Sequence, residues 1–479
     1  MSSTTVQERL SGRPAFAASL SLRARAASLL NRTIFCALLT LIVLTAIPYG
    51  TVEPWWKAVF ECAVFVLGAL WAIEGLSRGA WFVKEHRLLV PLLVVAGFTF
   101  FQTLPLPGEA SREAGIDVWN AISADPSETR LVAFNLLALT LAAGLLLRYT
   151  SSRRRLRALI FTVIGVGVLS ALFGILRQTT QRSAAGFVLP YLMRDSGYGQ
   201  FINRNHFAFL MEMSLGLLLG LVAGRGVPHD RARIYLVVAM PIWAALILSY
   251  SRGGIFAMLS QMLFLALLWA TSQTEREGAT VDDVVGLGSW GRSLAFRVTL
   301  IACLFLAILI GMVWVGGDPL VARLETVKDE VGSSVTKDRS RVGRAELWQA
   351  TWRMIEAHPV AGVGFGGYWT AIPAYHNASG SLVPQQAHND YLELLASGGI
   401  VGAGLALWFL ILVRKGARAS LRSTDRFRRA ACKGALVGLF GVAVHSLVDF
   451  GLHFTVNALV LTCLVAIATI DLRDVELSP

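Results

Sequence analysis

The sequence predicts an all-α membrane protein, a polytopic bundle of about twelve transmembrane helices with a long outward loop containing short helices. Two observations lead there. Of 479 residues, 55% are hydrophobic and only 15% charged, with a mean hydropathy of +0.59, whereas soluble domains carry roughly 25% charged residues. The apolar residues also gather into runs close to the ~20 needed to cross the hydrocarbon layer as a helix. Helices satisfy every backbone group inside the segment, which lipid requires.

In chain order the runs fit spans near 33–48, 55–75, 88–104, 131–147, 159–176, 207–223, 234–249, 255–270, 298–316, 398–413, 434–449 and 454–470. The last two are separated only by Gly451–His453. Arg9, Arg13, Arg23, Arg25 and Arg32 precede the first run without a convincing cleavage site, so it reads as a retained span and not a removed signal peptide.

Basic residues choose the direction. Of the 43 Lys and Arg, 28 lie on one set of segments: the N-terminus, 76–87, 148–157, 224–233, 271–297, 414–433 and the tail. The other 15 sit mostly in long loops, whose charge carries little topological weight. The expected organisation is a cytoplasmic basic N-terminus at 1–32, nine spans over 33–316, a large periplasmic loop at 317–397, three spans over 398–470 and a cytoplasmic tail at 471–479. Segments 105–130 and 177–206 face outward with the large loop. The net charge of +12 is thus a topology signal and not a nucleic-acid-binding face. Segments 148–157 and 414–433 read as solvated anchors, with an anionic-lipid site as the alternative. Cys36, Cys62, Cys303, Cys432 and Cys463 show no CxxC spacing and form no disulfide or zinc framework.

The outward segments hold the candidate chemistry. In 345–359, Trp348, Trp352 and Ile355 recur at helical spacing and predict an amphipathic helix over the membrane mouth, ended by Pro359. In QQAHNDYLELLASGGIVG (385–402), Asp390 is expected to cap a short helix with Glu393 at its third position. Gly398–Gly399 then allow a turn into the next span. His388 stands just outside that helix, near the outer interface. It reads either as a proton acceptor for a sugar hydroxyl or as a capping histidine; Asn389 and Asp390 are candidate supports.

Arg204, in FINRNHFAF, and Arg252, in SYSRGG, share the outward side. The guanidinium fork fits phosphate oxygens. Against that, Arg252 could be a turn residue snorkelling to water, and Asn203 and Asn205 could supply the polar cap at Arg204. Arg339, Arg341 and Arg344 either attract diphosphate or are solvated loop charges. His445 and Asp449, four apart, are expected to share a helical face and a hydrogen bond joining the last two spans. A metal site is the weaker alternative. No GxSxG elbow, HExxH helix or Walker motif occurs.

SRGG at 251–254, RAELWQATWRMIEAHPVAGVGFGGY at 344–368 and AHNDYLELLASGGIVG at 387–402, in this order among many spans, resemble the O-antigen ligase and O-antigen/exopolysaccharide polymerase superfamily. The resemblance implies a GT-C-like, metal-independent, inverting glycosyltransferase of the bacterial inner membrane, with a periplasmic site and no cofactor. Its donor would be an undecaprenyl-diphosphate-linked glycan, and its acceptor lipid A-core or a growing polysaccharide; membrane lipids would be its other partners. By motif match, His388 takes the family's loop histidine role, Arg252 a carrier-diphosphate role and Arg204, a weaker match, the second phosphate-binding arginine. NRNH at 203–206 is closer to the wider polymerase group than to the ligases. A polysaccharide transporter or flippase is the alternative from another class, because spans alone do not exclude it.

Overall fold

The computed structural model describes residues 4–78, 87–105, 121–181, 192, 196–274, 306, 344–376 and 384–471. We number the helices α1 (Thr4–Thr45), α2 (Pro54–Arg78), α3 (Leu89–Phe101), α4 (Pro126–Tyr149), α5 (Arg153–Thr180), α6 (Arg204–Ala223), α7 (His229–Leu248) and α8 (Arg252–Thr274). They continue as α9 (Arg344–Ala357), α10 (Asp390–Leu421), α11 (Arg426–His445) and α12 (Thr455–Thr469). The only β pairing among the described residues is two isolated bridges, Pro105–Ala121 and Tyr198–Phe201. The chain is therefore an all-α, polytopic membrane protein.

The span count corrects the expectation of about twelve. Seven helices among the described residues are long and apolar enough to cross a membrane: Arg25–Thr45, Pro54–Ser77, Pro126–Tyr149, Arg153–Thr180, Arg204–Ala223, His229–Leu248 and Asp390–Leu421. The physical reasons differ among the others. At about 1.5 Å per residue, the 13 residues of α3 and 15 of α12 fall short of a ~30 Å hydrocarbon layer. Among the residues whose side chains are described, α8 contributes Arg252–Leu268, which falls with the shorter apolar helices. The first half of α11 carries Arg426, Arg428, Arg429 and Lys433. The expected span 298–316 lies, apart from Leu306, outside the described residues, as do Arg339 and Arg341.

α6 is the central helix, buried along nearly its whole length. Its face bearing Gly216 and Gly220 meets Gly434 and Gly438 of α11 backbone to backbone. A Cβ on Gly220 would stand 2.2 Å from the Gly434 Cα, and one on Gly216 would stand 2.7 Å from the Gly438 nitrogen. Helices in lipid associate through such close small-residue contacts because apolar burial drives nothing there. Buried polar groups fasten the same interface: Gln261 Nε2 donates to the carbonyls of Glu212 and Val437, each at 3.0 Å.

α10 is two helices joined at Gly399, whose φ of +58° breaks the helical run. A Cβ there would lie 2.2 Å from the Val360 carbonyl. The break strands carbonyls, and the loop after α9 takes them up. Val363 N and Gly364 N donate to Ala396 O and Ser397 O (2.8 and 3.0 Å), while Ile400 N donates to Pro359 O at 2.9 Å. Gln102, just past α3, adds a bond to Ser397 O at 2.9 Å. The short helix expected through Tyr391–Leu394 runs from Asp390 up to the break at Gly399 and is thereby locked at the end of the bundle.

α9 also differs in detail from its expected face. It buries Leu347, Ala350, Thr351 and Met354. Trp352 is exposed and donates to Glu356 at 2.8 Å. The stripe lies on the leucine–methionine side because a second small core, containing Val363, Tyr368 and Ala387, packs there.

Candidate active site

Asp449 gathers the site. The carboxylate is buried in the turn between α11 and α12, and three separate stretches of chain converge on it. Asn205 Nδ2 donates to Oδ2 at 2.5 Å, and Arg344 Nη2 lies 3.5 Å from the same oxygen. His388 Nδ1 approaches Oδ1 to 3.4 Å and His206 Nε2 to 3.9 Å. Phe450 N donates to Oδ1 at 3.0 Å. Burial alone raises the carboxyl, but the contact with His388 and the neighbouring histidine charges outweigh it and hold Asp449 well below the usual carboxylate range.

His388 is held from both sides. Its backbone has a φ of +50°, uncommon for a residue with a side chain. Ala387, just before it, is pinned twice: Trp348 Nε1 donates to its carbonyl at 3.0 Å, and its N–H donates to Glu393 at 2.9 Å. The ring stands edge-on to Phe450 with centroids 4.7 Å apart. With Nδ1 facing Asp449, Nε2 is the nitrogen left for a ligand, and the side chain keeps 36% of its surface accessible.

The helix cap falls one residue earlier than the spacing suggested. Asn389, not Asp390, caps α10, its Oδ1 accepting from Tyr391 N and Leu392 N, both at 3.0 Å. Asp390 is the first helical residue and takes the Ser446 hydroxyl at 2.7 Å, while Glu393 serves Ala387 and not the cap. Asn389 Nδ2 donates to Leu447 O at 2.9 Å, and Asp390 N to Ser446 O at 2.9 Å. These bonds zip the start of α10 to the turn carrying Asp449, which sets the His388–Asp449 pair.

Arg204 and Arg252 begin α6 and α8. Both helix N-termini thus carry an arginine, and unsatisfied N–H groups at such ends favour anions. Arg204 shares a cavity of about 200 Å³ with Tyr198, Ser249 and Tyr250, with Gln178 and Gly197 completing it. The turn leading to Arg252 therefore lines the same cavity as Arg204. Both arginine side chains are exposed.

Residues 236–409 match the family described as O-antigen ligase. Over that stretch the chain is similar to the O-antigen ligases. The matched stretch includes the turn at Arg252, then Arg344, His388, Asn389 and Asp390. The chain is also similar to the exopolysaccharide production protein ExoQ of Rhizobium meliloti (strain 1021), at 24% identity over 260 residues, covering 51% of this chain and 54% of that protein. The chain thus spans about half the length of the curated relative it matches.

The pairing expected of His445 with Asp449 does not form. α11 ends at His445, so Asp449 leaves the helical face, and the imidazole instead contacts Glu212 of α6 at 3.1 Å, both side chains fully buried. Among the described residues no group of three or more His, Cys, Asp or Glu is arranged to hold a metal ion. The structure brings His388, Asp449 and Arg344 together directly; Arg204 is next in sequence to the Asp449 partner Asn205, and its own place is the cavity lined by Tyr198 and Ser249. Sequence reasoning missed His206, Asn205 as an Asp449 ligand, and the pair His453–Glu393 at 3.1 Å. Only NRNH beside an arginine hinted at the first two.

Proposed function

We propose that the protein transfers a saccharide from undecaprenyl diphosphate to a saccharide acceptor at the outer face of the inner membrane. The observation that supports it most is His388 seated on a buried carboxylate whose other partners come from the Arg204 and Arg344 segments. With Nδ1 3.4 Å from the Asp449 carboxylate, the tautomer protonated at Nδ1 is favoured and the Nε2 lone pair is left for the acceptor hydroxyl.

In this reading the acceptor proton passes to His388 Nε2 as its oxygen forms the new bond to the anomeric carbon. The bond from that carbon to the diphosphate oxygen breaks, and the electron pair leaves with the diphosphate. Arg204, Arg252 and the two helix N-termini offset the charge that develops there. Asp449 stabilises the imidazolium and is a positioning residue.

The bundle's charge distribution supports the outward orientation. α11 rises about 30 Å over its 20 residues. Near its start, the Arg153 and Arg157 guanidiniums lie 5.7 and 5.2 Å from the Phe427 ring centroid. Arg428 there binds Asp471 at 3.0 Å. The candidate site is at the other end. The positive-inside rule assigns the basic end to the cytoplasm and the site to the periplasmic side.

Between acceptors, similarity to a protein named for exopolysaccharide production favours extension of a carrier-linked polysaccharide over transfer to lipid A-core. Reconstitution with labelled undecaprenyl-diphosphate glycan and each acceptor, read by mass analysis, tests this. A lengthened carrier-linked chain is expected. Translocation of the donor without a new glycosidic bond rejects the enzyme reading in favour of a flippase.

A further inference from the structure

We propose that the Tyr198 hydroxyl is a third, uncharged donor to the phosphate oxygens of the lipid diphosphate, in the cavity it lines with Arg204, Ser249 and Tyr250. The proposal rests on the assignment of the Arg204 and Arg252 region to donor phosphate.

Tyr198 lines the cavity that Arg204 shares with Ser249 and Tyr250. The residue is only 2% exposed, and its hydroxyl is buried with no hydrogen-bond partner among the described residues. Leaving a buried hydroxyl unpaired costs about 1–3 kcal/mol, so such a group beside an open cleft and an arginine points to a ligand that completes it. Burial pushes the phenol up to about 12, with Arg177 opposing, so it remains an O–H donor at neutral pH. An acceptor-rich ligand fits: phosphate offers several oxygens and needs no proton from the protein.

The fold holds Tyr198 without using its hydroxyl. The ring sits over Gly174 of α5, where a Cβ would come within 2.4 Å of it, and packs on Phe207 with centroids 4.7 Å apart. The next residues are clamped to α5. Arg177, itself buried, donates to Gly199 O at 2.9 Å and Leu192 O at 2.8 Å, and Gln200 donates to Ser170 at 2.8 Å. Ring and backbone thus fix the position, and the hydroxyl is left over for binding.

The test is binding of undecaprenyl diphosphate to the purified full chain in detergent micelles, with inorganic pyrophosphate and undecaprenol as comparison probes. Tyr198→Phe is expected to weaken undecaprenyl diphosphate and pyrophosphate about tenfold or more, the value of one hydrogen bond to a charged group. Undecaprenol binding is expected to stay unchanged. Loss of undecaprenol binding by the same factor overturns the proposal, because it locates the effect on the lipid chain. Parent-like diphosphate binding by Tyr198→Phe, while Arg204→Ala and Arg252→Ala lose it, overturns the proposal and leaves the donor-phosphate assignment standing. Should all three variants bind as the parent does, that assignment fails and takes the proposal with it. As an independent readout, 3-fluorotyrosine at position 198 is expected to show a shifted fluorine resonance on adding undecaprenyl diphosphate; an unmoved resonance at saturation overturns the contact.

Discussion

His388 carries a φ of +50°, a conformation that costs a side-chain-bearing residue about 1–2 kcal/mol. Such strain persists where the surroundings over-determine it, and here Trp348, Glu393 and Asn389 fix the residues on both sides. Glycine relieves the strain and alanine does not. His388→Gly is therefore expected to be about 1 kcal/mol more stable than His388→Ala in chemical denaturation, with neither supporting transfer. Equal stability of the two would show that the backbone is not strained there. For Asp449→Asn, the charge-assisted contact to His388 is lost. Transfer is expected to fall about tenfold or more, with the acidic limb of the pH profile, where a general base is lost to protonation, moving. A rate loss with an unchanged profile would make Asp449 a merely structural residue. The sequence brought His388, Arg204 and Arg252 into view because their residue types stand out against apolar surroundings. It could not show what Asp449 holds, since the pairing depends on α11 ending at His445 and turning Asp449 away from its helical neighbour.

Two contacts between elements determine where those residues sit. The backbone contact of Gly220 with Gly434 sets the depth of α6, and hence of Arg204 and Asn205. Gly220→Leu is expected to destabilise the detergent-solubilised protein by about 1–3 kcal/mol or more, lowering donor binding with it. Unchanged melting would mean the helices can part without consequence. The second contact is His453 with Glu393, which joins the Asp449 turn to α10. Burial lowers the His453 imidazolium, but Glu393 and then Asp390 outweigh it and raise it to about 9. The pairing therefore contributes fully below the ordinary histidine value of about 6.5 and is lost as pH rises through about 9. Thermal stability is expected to decline over that window in the parent, and less so in Glu393→Gln. A parallel decline in both would remove the pair from the account. At this scale the kink was legible, because Gly398–Gly399 interrupts an apolar run. The cap was not, because Asn and Asp are equally good N-caps and only the bonds to Ser446 and Leu447 decide between neighbours.

Over the whole molecule, the all-α membrane character followed from composition and run length, whereas the number of spans did not. An apolar run records burial as well as lipid contact. α12 is apolar and almost wholly enclosed by protein, and α3 is too short to cross alone. The two ends of the bundle differ more clearly than the count: arginines surround Phe427 at one, and His388, Asp449 and Arg344 meet at the other. The central claim is that this second end performs proton transfer to His388 as a glycosidic bond forms. It is tested most directly by the single-turnover rate of saccharide transfer from undecaprenyl-diphosphate glycan in proteoliposomes, comparing the parent with folded His388→Ala. The account predicts a fall of about 10²–10⁴-fold, with undecaprenyl diphosphate binding retained. Parent-like transfer by the variant would contradict it.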